Sequence, residues 1–162
     1  MSALDLNTVR STIEARLATE LASSPAIPVI FNNMAFDSTT EDTFVQCLTS
    51  FGANQYLTQG DTSSATNNVV GLVILNIFTE EGIGAGSNYT IGKRLRDLYN
   101  RVTVSNVIFD SPVGPEVFAS SPEGKFQTQI RITFGIYEDL YCLLYTSPSP
   151  RDLSTSRMPS SA

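Results

Sequence analysis

Phe126-Gln-Thr-Gln-Ile-Arg-Ile-Thr-Phe-Gly-Ile-Tyr137 decides the fold class of this chain. Phe126, Thr128, Ile130, Ile132, Phe134 and Ile136 alternate with Gln127, Gln129, Arg131, Thr133 and Tyr137. Successive side chains of a strand point to opposite faces, so this pattern predicts a strand with one face in a core and the other in water. Antiparallel sheets tolerate that one-sided exposure, whereas parallel sheets are covered on both faces.

Working outward, Val69 to Phe78 (VVGLVILNIF) is apolar at nearly every position. It predicts a central strand covered on each side. It is too short to span a bilayer, and Gly71 and Asn76 interrupt it. Thr43 to Phe51 and the short Pro28 to Phe31 segment predict two earlier strands, and Val102 to Phe109 predicts one more. Asn32 to Asp42 and Ser111 to Gly124 are rich in turn formers and read as connections. Gly52 to Asn68 reads as a long polar loop, since only Tyr56 and Leu57 are sizeable apolar residues there.

Two segments have helical rather than strand spacing. Leu6, Val9, Ile13, Leu17 and Leu21 form one stripe over residues 4–23, with Arg10, Glu14, Arg16 and Glu20 off it. Ser23-Ser24-Pro25 ends that helix, because the residue before proline disfavours the helical region. A second helix is expected after Gly86, with Ser87 as its N-cap and Ile91, Leu95 and Leu98 buried. The order α-β-β-β-α-β-β predicts an α+β fold: a single mixed, mostly antiparallel sheet with two flanking helices.

Residues 142–162 are set apart from this reading. Cys142 to Asp152 (CLLYTSPSPRD) back-translates in register onto the end of a transposon-based sequencing adapter, and Ser156 to Ala162 fits the constant segment that follows it. The segment is therefore expected to be a disordered, adapter-derived artefact. The domain is residues 1–141, a length suited to one core. Its opening residues lack the basic and apolar regions of a secretory signal.

The whole chain has 10 basic and 16 acidic residues. Setting aside Arg151, Arg157 and Asp152 leaves 8 and 15, a net charge of −7 for residues 1–141. Such a balance argues against sequence-independent nucleic-acid binding and against a polybasic membrane contact. There is no histidine, and Cys47 is the one cysteine outside the adapter-like segment. A usual zinc site and a Ser-His or Cys-His nucleophile are thereby excluded. No catalytic, cofactor or metal residue is assigned.

Gly82, Gly84 and Gly86, between a strand and a helix, invite comparison with a dinucleotide fingerprint. Taking Gly84 and Gly86 as its first two glycines puts Tyr89 where the third should be, and Glu80 and Glu81 would repel phosphate. A phosphate loop fails too, since Arg94 stands where Ser or Thr is required. The three glycines read as a hinge turn. Lys93, Arg94, Arg96 and Arg101 form the one basic cluster and are a candidate interface for an acidic partner surface, such as a second copy of this chain. Gln127, Gln129 and Arg131, on the polar side of the last strand, are further candidates.

The Pro28-Val-Ile-Phe-Asn-Asn33 strand after an amphipathic helix, Ile77-Phe78-Thr79 running into Gly82-x-Gly84-x-Gly86, a helix closing in Leu98-Tyr99, and the last strand together resemble the tail-terminator, or tail-completion, proteins of long-tailed phages. The resemblance covers residues 1–140 and lies in the order of these segments. It implies a non-enzymatic virion protein, assembled in the host cytoplasm. That protein forms a homo-hexameric ring that caps the tail tube and joins it to the head connector, with DNA passing through unbound. Two other readings stay open: another head–tail connector component, and a small ligand-binding or regulatory domain using the Gly82–Gly86 turn.

Overall fold

The computed structural model describes residues 4–58, 65–119 and 121–139. The adapter-like segment and residues 59–64 of the polar stretch lie outside the described residues. The architecture is α+β, with two helices and a seven-stranded mixed sheet bent into a half-barrel.

Helix α1 spans Leu6–Ala22. Asp5 caps it, its carboxylate accepting from the Asn7 amide at 3.0 Å and the Thr8 hydroxyl at 2.7 Å. Val9, Ile13, Leu17 and Leu21 are buried as their spacing predicts, whereas Leu6, one turn earlier, is exposed. Helix α2 spans Gly86–Tyr99 and buries Ile91, Gly92, Leu95 and Tyr99. Its N-cap is Ala85 rather than Ser87, and no side chain closes that end. The buried residues of both helices join one core with Val45, Cys47, Val73, Leu75, Ile77, Ile130, Ile132, Phe134 and Ile136. Both helices therefore cover the same face of the sheet.

The strands are β1 (Val29–Ile30), β2 (Phe44–Tyr56), β3 (Thr66–Glu80), β4 (Thr103–Val104), β5 (Val107–Phe109), β6 (Val113–Phe118) and β7 (Lys125–Asp139). The spatial order is β1-β2-β3-β7-β5-β4, with β6 also on β7. Only β1 is parallel to its neighbour. Residue pairs Thr66↔Asp139 through Glu80↔Lys125 make β3 and β7 the long central ladder. Gly71 lies opposite Phe134, and the Phe134 ring fills the space above that glycine.

Three connections differ from expectation. The polar stretch 52–68 is largely the outer part of the β2–β3 hairpin, since Asn54, Gln55 and Tyr56 pair with Val69, Asn68 and Asn67. Ladder bonds are made by backbone, so a hairpin standing in water needs no apolar side chains and its polarity misleads. Val102 to Phe109 is two short strands, because Ser105 and Asn106 take φ of 46° and 70°, as a two-residue hairpin turn requires. Ser111 to Gly124 contains β6, an edge strand that tolerates Pro115 as a central strand would not.

Candidate functional site

Register fixes which side chains face away from the helices. Leu48 pairs with Ile74 and Ile74 with Arg131; Ser50 pairs with Leu72 and Leu72 with Thr133; Val70 pairs with Gly135. These residues, with Gln127 and Gln129, form the open face. Leu48, Val70, Leu72 and Ile74 are only half-buried there, so the strand predicted to be covered on both sides is covered fully on one. The cover on the second side is local. Phe44 and Phe78 stack with centroids 4.6 Å apart, and Phe36 lies on Phe44 at 4.8 Å. Residues 32–42, expected to be a plain polar connection, thus shield one end of the open face through Phe36.

Beside that aromatic stack runs a ladder of amides. Gln129 Nε2 donates to Asn76 Oδ1 at 2.9 Å, and Asn76 Nδ2 donates to Gln46 Oε1 at 3.1 Å. Three strands are thereby tied side chain to side chain. Asn76, which looked like an interruption in an apolar run, is the middle rung. Next along, Arg131 Nη2 reaches both carboxylate oxygens of Glu116 on β6 at 2.8 Å. Both partners are nearly half exposed, so the pair contributes under ~1 kcal/mol.

The basic cluster does not form one patch. Arg94 turns inward, its side chain 19% exposed, and holds the C-terminal end of α1. Its guanidinium donates to Glu20 Oε1 at 2.7 Å, Ser23 Oγ at 2.6 Å, the Pro25 carbonyl at 2.9 Å and the Glu20 carbonyl. Carbonyls at a helix C-terminus are orphans, and a planar guanidinium can satisfy several at once. Arg96 donates to the Gly114 carbonyl and Arg101 to Ser111 Oγ at 3.2 Å. Arg101 stays exposed, and Lys93 is outward too, 71% exposed and paired with Asp97. Gln127, Gln129 and Arg131 do share one face, the open side of the sheet.

Gly82 and Gly84 take φ of 90° and 87°, which L-residues rarely adopt, and deliver the chain from β3 into α2. What locks that junction is Asn88, fully buried and not singled out by sequence. Its Nδ2 donates to the Ile77 carbonyl at 3.1 Å and Thr128 Oγ1 at 3.2 Å, and its Oδ1 accepts from the Thr79 hydroxyl. One side chain so joins α2 to both central strands.

Two ionisable core groups are held neutral. Burial pushes the Cys47 thiol up to about 12 and raises the Tyr99 phenol as well. The Tyr99 hydroxyl donates to the Ile13 carbonyl at 2.8 Å and ties α2 to α1. Among the described residues no group of three or more Cys, Asp or Glu could hold a metal ion, and no helix is long and apolar enough to cross a membrane.

A family model described as phage tail terminator protein matches residues 8–114. The chain belongs to that family. The match carries α1 to the start of β6, about two thirds of the sequence, and leaves β7 beyond it. Membership makes this tail terminator a structural component of a phage tail, and so of a virion. A solved structure aligns with the terminator at a TM-score of 0.62 and 16% identity, covering 82% of this chain and 96% of that chain. At that identity the likeness shows the fold alone. No curated protein matches the sequence.

Proposed function

We propose that this tail terminator assembles as a ring of identical copies, six by family resemblance, that closes the tail tube and joins it to the head connector. Family membership over residues 8–114 is the observation that carries the reading. The tail tube protein, the head–tail connector protein and further copies of the chain are its partners. Assembly takes place in the host cytoplasm.

Electrostatics supports the same role. Each of the eight cations among the described residues donates to an acceptor of its own chain: Arg10, Arg16, Lys93, Arg94, Arg96, Arg101, Lys125 and Arg131. Glu41, Asp42, Glu80, Glu81 and Glu123 meanwhile gather at one end of the sheet. There Glu80 is opposite Lys125, Lys125 Nζ donates to the Glu41 carbonyl, and the Glu81 amide donates to Gly124. A ring of such subunits has few free cations for phosphate, and DNA slides past it unheld.

Lys93, Arg94 and Arg96 on α2, Arg101 just after it, and Gln127, Gln129 and Arg131 on the open face are the candidate contacts with a neighbour or partner. Lys93 and Arg131 are the informative positions, because the other arginines already hold the fold. Negative-stain electron microscopy of the purified protein tests the reading: rings with a central channel are expected. Single particles alone would count against it. Lys93→Glu with Arg131→Glu is expected to reduce the ring fraction, and unchanged rings would remove these two from the interface.

A further inference from the structure

We infer that copies join by strand addition, with β6 of one copy lying against the free outer stretch of β2 in the next. The inference rests on the ring reading and names the contact that would build it.

The two edges lie at opposite ends of the sheet. β1 covers β2 only at Val45 and Gln46, and Asn32 Nδ2 occupies the Thr49 carbonyl at 3.3 Å. From Ser50 to Tyr56 the outer edge of β2 has no strand beside it among the described residues. Proteins normally blunt such edges with charge or proline. β2 has neither, since Phe44 to Tyr56 contains no charged residue and no proline. Its one irregularity is the register shift between Phe51 and Asn54. At the other end β6 pairs only with β7 and exposes Val113, Val117 and Phe118. Pro115 packs on Gly92 of α2 and Arg96 holds the Gly114 carbonyl, which leaves Glu116 to Phe118 as the stretch free to pair.

Direction favours joining these two. β2 to β3, β3 to β7 and β7 to β6 are three antiparallel steps, so β6 runs opposite to β2. A rotation about a ring axis to which the strands are tilted by less than a right angle keeps β2 of the next copy in its original sense. β6 then meets it antiparallel, and the alternation continues across the junction. The joined edges differ, so the contact is heterologous and repeats until a ring closes.

Level is the remaining condition. Through the register, β6 stands beside Phe44 to Leu48 of its own β2, whereas the free stretch is Ser50 to Tyr56. The offset is six to eight residues, or about 20–26 Å at ~3.3 Å per residue. Four strand steps of ~4.8 Å, tilted by ~35–45° as in closed sheets, accumulate about 13–19 Å of stagger. Strand tilt in a ring accounts for the larger part of that offset.

The test uses the full chain and light scattering coupled to size exclusion over a concentration series. Ala53→Pro with Gln55→Lys blocks β2, and Ala53 has no register partner in β3, so its amide is dispensable to the hairpin. Val117→Lys with Phe118→Lys blocks β6. Circular dichroism melts check that each variant folds, and Gln55→Lys alone is the milder substitute on β2. Each blocked variant is expected at the mass of a single chain, 17.6 kDa. An equimolar mixture retains one good edge of each kind, so its mass should double and rise no further. Wild-type-sized assemblies from both variants would overturn the edge contact and leave the ring reading standing. A dimer abolished only by the β2 changes would replace it with β2 paired to itself. A wild type that stays single at every concentration overturns both.

Discussion

The ring of Phe134 on β7 stands where a side chain at position 71 of β3 would go. A Cβ placed on Gly71 would lie 2.1 Å from Phe134 Cζ, far inside contact distance. Phe134 is fully buried, with Phe109 at 6.1 Å and Phe51 at 5.7 Å around it, so the ring has nowhere to move. Gly71→Ala is therefore expected to destabilise by ~1–3 kcal/mol through overpacking. Chemical denaturation of Gly71→Ala and of Gly71→Ala with Phe134→Leu checks it, and the smaller partner should recover part of the loss.

Asn88→Ala removes one side chain and leaves the Thr79 and Thr128 hydroxyls and the Ile77 carbonyl short of a partner in a dry site. A buried polar group left unsatisfied costs about 1–3 kcal/mol. Asn88→Ala is expected to lose at least that much. Asn88→Asp retains the acceptor but brings a charge into the core and should be no better. Thermal melts that leave either variant near wild type would contradict the lock.

Arg94→Lys keeps the charge and loses the fork that spans Glu20, Ser23 and Pro25. Hydrogen bonds to charged groups contribute ~1.5–3 kcal/mol, and part of that is lost here. Hydrogen exchange is the sharper readout: faster exchange is expected in the last turn of α1, with β3 and β7 unchanged.

Alkaline pH should unfold the protein. The native thiol of Cys47 is held neutral to about 12 against an ordinary 9.0, and the Tyr99 phenol is raised too. A group whose pKa is higher in the folded state contributes stability below its unfolded value and loses it as pH rises towards the folded one. Stability should thus be level up to about pH 9 and fall between 9 and 12. Tyr99→Phe should flatten part of that fall while costing ~1 kcal/mol at neutral pH for the bond to Ile13. At pH 8 an alkylating reagent should leave Cys47 untouched until denaturant is added, as peptide mass mapping would show.

Periodicity carried the parts of this fold that face a core. Val9, Ile13, Leu17 and Leu21, and Ile130, Ile132, Phe134 and Ile136, declare both element and buried side. Elements that do not face a core were not legible in this way. The outer β2–β3 hairpin and β6 are made by backbone bonds in water, and their side chains look like those of a loop. The basic cluster on and just after α2 misled for a related reason. Sequence shows the charges of Arg94 and Arg96, but the carbonyls they reach at Glu20, Pro25 and Gly114 belong to other parts of the chain. Asn88 had no signal in composition or spacing, since an amide in a helix looks the same whether it faces water or two strands. The family, by contrast, was recognisable from the order of the segments alone.

β7 pairs with β3, β5 and β6, and it is made after all of them. Until it emerges from the ribosome, the β2–β3 hairpin has lost its long neighbour and both helices have half a floor to pack on. Non-local pairings of this kind form slowly and leave apolar surface bare meanwhile. A nascent terminator therefore cannot present β6, or a finished sheet, to anything else. Translation through β7 becomes a checkpoint: the sheet, and with it any contact built on β6, is finished only once that strand has been made.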